Sequence, residues 1–569
     1  MQDILKKLAS KEILSILAVF ILSFPAFSGL LHKGYFPMHD DIQTMRLWQM
    51  EKCFLDGQIP CRWASDMGAG FGQPVFNFYS AFPYYFGMIF RLVGFQFVDV
   101  VKILFLLSLV LSGVFMYFLA KEFFGRLAGI GAAIFYVYAP YHSVDIYVRG
   151  AMAESWAITF FPLIFYAVYK FLKEEKLGHF LLVIFSLSGL FLSHNLMNMV
   201  FSPFVALWAL FSAYILKKWR TLPKLLLALA WSVGLSAFFL LPVFGEKSLV
   251  AVDRLTEQYF DFHYHFVYKG QLLFSRFWGY GGSLGQRSLM SFQIGWPHWW
   301  FVPLALSVAV FFWAKKKYLK EAFVCLFFVL MFFFTAMLTH RVSTFIWEAL
   351  PLLAYVQFPW RFLGLVIFAV SLTVASLMFF LKDIRFPKMR VGLGLVTIAS
   401  AILLNFHYFK PLTVYTNVDD QWKLNGKELE DQMKSALLDY LPKGVEEVPE
   451  NLASEAPWIV EGEAKVSEYA KRSNFWRFTI DVSSEQARIR VPIFDFPRWE
   501  VLIDQQLIDF NSDNPQGVIE LLVPQGSHTV VGFFRDTKLR TIANMITMVS
   551  FVSLIVYIVA KGQKNEKTV

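Results

Sequence analysis

The stretch ILSILAVFILSFPAFSGLLHKGYFPMHDD, residues 13–41, decides the class of fold. Residues 13–31 carry no charged side chain. A run of this kind needs about 20 residues to cross a hydrocarbon core roughly 30 Å thick. A secretory signal would be shorter and would be followed by a small-residue cleavage site, so the run reads as a retained signal anchor. The acidic pair Asp40–Asp41 stands just beyond it. Carboxylates so near hydrocarbon are costly unless they are solvated, paired or bound to a cation.

Outward from this stretch the pattern repeats. The 569-residue chain is 57% hydrophobic and contains 64 Phe, more apolar than a soluble protein of this size. Spans are expected at 13–31, 99–120, 127–140, 153–171, 177–192, 196–216, 225–243, 297–313, 321–338, 360–381, 391–408 and 541–560, about twelve in all. Every second connector, counted from the N-terminus, is basic. Together with the tail these segments carry 23 Lys/Arg against about eight acids. Cytoplasmic loops carry such an excess, so both termini are expected in the cytoplasm of a multi-pass protein of the prokaryotic plasma (inner) membrane. The formal net charge of +9 is then a topology signal, and it gives no argument for binding nucleic acid. Three cysteines are too few for a disulfide scaffold or a thiolate metal site. Cys53 and Cys61 share the first outer loop, where pairing and two free thiols are both open.

The organisation expected is a transmembrane domain at 1–408 with outer loops 32–98, 244–296 and 339–359. A mostly β extracytoplasmic domain follows at 409–540, then a last helix and cytoplasmic tail at 541–569. The apolar stretch 82–95 contains Arg91 and is short for a span, which places it at the interface or as a re-entrant segment. Residues 475–482 and 487–493 alternate apolar and polar, the period of a half-buried strand. With 498–503, 517–523 and a turn at Gln525–Gly526, they read as an antiparallel β-sandwich preceded by a short helix near 427–441.

Several residues could carry chemistry. Asp40 and Asp41, behind Met38 and His39, could hold a divalent cation or act as a general base; they could equally cap a helix. Asn77, Phe78 and Tyr79 lead into an aromatic stretch that suits a sugar or lipid site, or an interfacial belt. Arg149 and Glu154 flank the outer entrance of the 153–171 span. There Arg149 could meet a phosphate and Glu154 could orient it or hold a metal; the bland alternative is an ion pair fastening two helices. His194 and Asn195 stand at the outer end of another span. Arg361 opens the 360–381 span and needs an anion, lipid phosphate being the natural one, unless it merely snorkels. His263 and His265 form an H-x-H without a placed third ligand, a weak metal signal.

These residues sit in motifs with a likeness. The architecture resembles the GT-C superfamily of polytopic glycosyltransferases. The stretches DGQIP (56–60), GAGFGQPVFNFYSAFPYYF (68–86), YVRGAMAE (147–154), SHN (193–195) and QFPWRF (357–362) resemble a prokaryotic family described as membrane protein, 6-pyruvoyl-tetrahydropterin synthase-related. The ending FPRWEVLIDQQ (496–506) and VPQGSHTVVGFFRDTKLR (523–540) is similar to GT-C proteins that glycosylate cell-surface polymers. The resemblance covers nearly the whole chain, and its motifs are more specific for the family than for a reaction. The pterin part of the description has no counterpart in this architecture. The resemblance implies an inverting membrane glycosyltransferase using a polyprenyl-phosphate sugar donor, in contact with membrane lipid. The acceptor would be an extracytoplasmic glycan, lipid or protein, and nucleic acid would have no part. It implies Asp40 or Asp41 as base. The expected substrate-binding residues are His39, Tyr79, Arg149, Glu154, His194, Asn195 and Arg361. A divalent cation, Mg or Mn, would be held by Asp40, Asp41 and Glu154. Two rivals remain. A transporter or flippase of lipid-linked sugar predicts ionisable groups near mid-membrane and broken helices in related halves. A non-catalytic envelope-assembly protein would have no use for Asp40 at the membrane exit.

Overall fold

The computed structural model describes residues 2–252 and 256–566. Residues 253–255 of the expected 244–296 loop and 567–569 of the tail lie outside the described residues. Among the described residues, nine helices are long and apolar enough to cross a membrane. They are Ser10–Leu30, Phe97–Phe124, Met152–Glu174, Asn195–Leu216, Trp296–Ala314, Leu319–Thr339, Pro359–Asp383, Pro387–Tyr408 and Lys538–Gln563. The pair Trp219–Leu235 and Ala237–Gly245 passes the same test as one span broken by a bend, and Arg126–Val137 and Leu177–Ser193 are apolar but shorter. These are the twelve places expected. A count of twelve spans needs the bent pair and both short helices to be credited as crossings.

By compactness the chain divides into two units, each stitched from three segments. One comprises Met1–Asp41, Val101–Ser232 and Thr256–Asn417; the other comprises Ile42–Val100, Val233–Leu255 and Val418–Val569.

The first unit is helical. The helix Leu363–Phe380 is buried at all but one of its positions, as expected of a helix apolar on every face. Phe rings make much of its surroundings. Phe161 stacks on Phe201 at 3.7 Å between centroids, and Phe165 lies 4.9 Å from Phe368. Small hydroxyl side chains fasten neighbouring helices: Ser108 to Ser155 at 2.7 Å and Ser112 to Thr159 at 3.0 Å. Such residues let helix backbones approach and satisfy their own polar groups inside an apolar bundle.

The second unit is built on a six-stranded antiparallel sheet. Its strands are β1 (Trp458–Glu461), β2 (Ala464–Lys471), β3 (Phe475–Phe494), β4 (Trp499–Ile503), β5 (Gln506–Ile508) and β6 (Val518–Phe534), in the order β1-β3-β6-β4-β5 with β2 also on β3. This corrects the expected sandwich: the strands hydrogen-bond as one sheet. The 475–482 and 487–493 runs are one strand, and Gln525–Gly526 lies inside β6 where a turn was expected. Register shifts between Val482 and Gln486, and between Arg490 and Phe494, absorb the irregularity as bends. The helix near 427–441 is shorter than expected, at Gly426–Lys434. Trp63, from residues 42–100, enters the sheet's core, 5.8 Å from Trp499, and Phe71 stacks on Phe494 at 4.9 Å. Cys53 and Cys61 are joined as a disulfide, their Cα atoms 5.5 Å apart. The 82–95 stretch folds as a helix, Phe82–Leu92.

Candidate active site

The first unit gathers ionisable groups around one turn of the chain. Residues Val144–Arg149 form a π-helical turn, closed by Gly150 in the left-handed region at φ 67°. Such turns are rare and concentrate at functional sites. This one displays Asp145 and Arg149 together. The Arg149 Nη1 donates to Asp145 Oδ1 at 2.5 Å and to Glu154 Oε2 at 2.9 Å. Arg361 Nε lies 3.5 Å from the same Glu154 oxygen. The other Glu154 oxygen accepts from Tyr141 Oη at 2.5 Å. The Arg361 Nη1 also donates to the carbonyl of Val356 at 2.7 Å and to Gln357 Oε1 at 2.9 Å. Trp360 lies under the guanidinium of Arg149, 4.5 Å from its carbon. All four charged groups are buried.

Two carboxylates facing two guanidiniums are formally neutral, the arrangement in which buried charge is tolerable. Glu154 sits at the centre, shared by both arginines. Asp145 is at the edge, and its Oδ2 makes no hydrogen bond. Burial, and then the charge of Glu154, push its carboxyl well above the usual carboxylate range. Burial works against the charge of Arg149, yet Glu154 and Asp145 raise it well above the ordinary guanidinium value.

Asp40 reaches this cluster through its backbone. The segment leaving the first span is fixed at Tyr35, which exchanges hydrogen bonds with Tyr415 at 3.0 and 2.8 Å. Then His39 N–H donates to the carbonyl of Val148 at 3.0 Å, and Asp40 N–H to that of Arg149 at 2.7 Å. Gly150 permits this passage. A Cβ there would lie 2.2 Å from the sulfur of Met38, and the backbone is already in a conformation that side chains disfavour. The Asp40 side chain is exposed and lies within electrostatic range of both Arg149 and Arg361. Asp41 is half-buried. The helix that follows takes Ile42 as its N-cap with no side-chain cap bond.

The other expected residues divide. His39 Nε2 bonds the carbonyl of Tyr280 at 2.7 Å. His194 accepts from Met197 N–H at 3.2 Å and so caps the Asn195–Leu216 helix; it is half-buried, and it interacts electrostatically with Glu154, Arg361 and Arg149. Desolvation lowers its imidazole to about 3, which keeps it neutral. Asn195 opens the same helix. Tyr79 belongs to the second unit, where it stacks with Arg46. Of the residues expected to hold a cation, Asp40, Asp41 and Glu154, both Glu154 oxygens are engaged by Tyr141 and the arginines. Among the described residues no three His, Cys, Asp or Glu side chains gather as a metal site. Sequence reasoning missed Asp145 and Tyr141. Asp145 had one signal, its place four residues before Arg149.

No protein-family model matches the chain. An uncharacterized protein of Lactococcus lactis subsp. cremoris is 26% identical over 236 residues, 39% of this chain and 37% of that protein. The Archaeoglobus fulgidus oligosaccharyltransferase in its apo form aligns with 76% of this chain and 60% of its own at 13% identity, with a TM-score of 0.41. The archaeal oligosaccharyltransferase AglB of A. fulgidus, in complex with an inhibitory peptide and a dolichol-phosphate, gives 0.38 at 11% identity over the same shares. The chain thus spans 37% of the Lactococcus protein and 60% of each oligosaccharyltransferase chain, less than two thirds of any of them.

Proposed function

We propose that the chain is a membrane glycosyltransferase that moves a sugar from a polyprenyl-phosphate donor to an extracytoplasmic acceptor. One observation carries the reading: an exposed carboxylate, Asp40, is held by its own backbone on the carbonyl of Arg149, at the edge of a buried arginine–carboxylate cluster. In this reading the Asp40 carboxylate takes the proton of the acceptor hydroxyl. The acceptor oxygen forms its bond to the anomeric carbon as the bond from that carbon to the donor phosphate oxygen breaks. The electron pair leaves with the phosphate, and the configuration inverts. A base acting this way contributes typically 10²–10⁴-fold.

The leaving phosphate needs positive charge where its own charge develops. Arg149 and Arg361 supply it only in part, because Glu154 neutralises one of them. Arg149 is shared between Glu154 and Asp145, while Arg361 has Glu154 alone as its carboxylate partner. Asp40 lies within electrostatic range of both arginines, and the donor phosphate is proposed to meet the same two guanidiniums. His39, His194 and Asn195 border this region and are proposed to meet the donor or acceptor. Tyr79 is proposed only as a residue of the second unit. The 409–540 segment is proposed as the extracytoplasmic domain, with both termini cytoplasmic.

The broken span at Ser236 favours a transporter, since unwound helices build transport sites. It is the one bent pair found among the described residues, without a counterpart in a related half. The two readings separate in proteoliposomes carrying a polyprenyl-phosphate-linked radiolabelled sugar. A transferase releases polyprenyl phosphate and labels the acceptor. Intact donor crossing the bilayer, with no cleavage, contradicts the proposal.

A further inference from the structure

Arg46, in the second unit, is a buried guanidinium without a carboxylate partner. The residue is 4% exposed, and among the described residues no acid lies within ion-pair distance of it. Asp439 exerts an electrostatic influence, but from beyond that distance. The contacts Arg46 does make are weak or neutral. Its carbon lies 3.8 Å over the ring of Tyr79. Its Nη1 is 3.4 Å from Tyr84 Oη, which itself donates to Gln43 Oε1 at 2.6 Å. Its Nε makes no hydrogen bond. Every other buried arginine described above faces at least one carboxylate. Arginine removed from water without an anion is costly, and stacking on one tyrosine offsets only part of that cost.

We propose that Arg46, with Tyr79 and Tyr84, receives a phosphate group, carried by a lipid headgroup or free in solution. The chemistry suits it: a planar fork of N–H donors for two phosphate oxygens, and a tyrosine hydroxyl beside it as a further partner. Tyr79, whose ring lies under the guanidinium, is half-buried. The site stands apart from the proposed reaction and does not depend on it.

The test uses the full-length protein in detergent and in nanodiscs. One arm titrates inorganic phosphate against chloride at equal ionic strength. The other compares nanodiscs of phosphatidylcholine with and without phosphatidic acid. Thermal unfolding reports binding in both. Stabilisation in the first arm alone assigns a free phosphate; stabilisation in the second alone assigns a lipid phosphomonoester. The midpoint concentration of either is expected to rise at least tenfold for Arg46→Gln. The free Arg46→Gln protein is expected to unfold at or above the wild-type temperature, because it no longer buries an unpaired charge. Should it fail to fold, Arg46→Lys keeps the charge, loses the fork, and is expected to bind several-fold more weakly. The proposal is overturned if neither phosphate source stabilises the wild type, or if the variant that folds binds as tightly. A lower unfolding temperature of ligand-free Arg46→Gln also overturns it, because the arginine would then be a structural stack.

Discussion

Glu154 is the residue on which the cluster turns. It faces two buried arginines and a tyrosine, so replacing it leaves two cations without their shared anion. Breaking a buried pair by removing one partner typically costs about 3–5 kcal/mol. Glu154→Gln is therefore expected to lower stability by that amount in denaturant unfolding in detergent micelles; a change below about 1 kcal/mol, the range of exposed pairs, would mean that water reaches the cluster. Arg149, Glu154 and Arg361 were legible in the sequence because charges beside long apolar runs stand out. Asp145 was not, because an acid in VDIYVR reads as an ordinary loop residue until the turn brings it to Arg149. Tyr141, just past the 127–140 run, had no charge or motif to single it out.

At the scale of elements, the π-turn Val144–Arg149 and its closing Gly150 set the position of Asp40. Gly150→Ala would place a methyl against Met38 in a left-handed backbone. We expect a stability loss of about 1 kcal/mol from the backbone alone. The loss of transfer should be larger, because the segment carrying Asp40 is pushed off Val148 and Arg149. Measuring unfolding and turnover on the same preparation checks this; equal, small losses in both would detach Asp40 from the turn. The sequence showed a glycine here but not its conformation. The sheet was half-legible for a similar reason. Alternation located β3 and β6, while Gly526 suggested a turn. Pairing all along the partner strand, with bulges taking up the shift, made one long bent strand instead.

Across the whole molecule, hydropathy located the helices, since each must satisfy its own backbone inside lipid. It could not show that residues 42–100, 233–255 and 418–569 share one compact unit, because that rests on contacts far apart in sequence, such as Trp63 with Trp499. Trp63→Ala is expected to cost about 3–5 kcal/mol and to expose the sheet's core to protease; unchanged protease resistance would show that the loop merely rests there. Orientation rests on the basic connectors. Tags after Lys316 or Lys388 should be reachable only from the cytoplasm, and tags in 440–530 only from outside; a β-domain reachable from the cytoplasm would overturn it. The account as a whole stands on Asp40 as the base. Asn retains the shape and hydrogen bonding of Asp and removes its charge and basicity. The most direct measurement is sugar transfer from a polyprenyl-phosphate donor by purified wild type, Asp40→Asn and Asp41→Asn. The account predicts normal insertion of both variants and a loss of roughly 10²–10⁴-fold in Asp40→Asn; full activity in Asp40→Asn would contradict it.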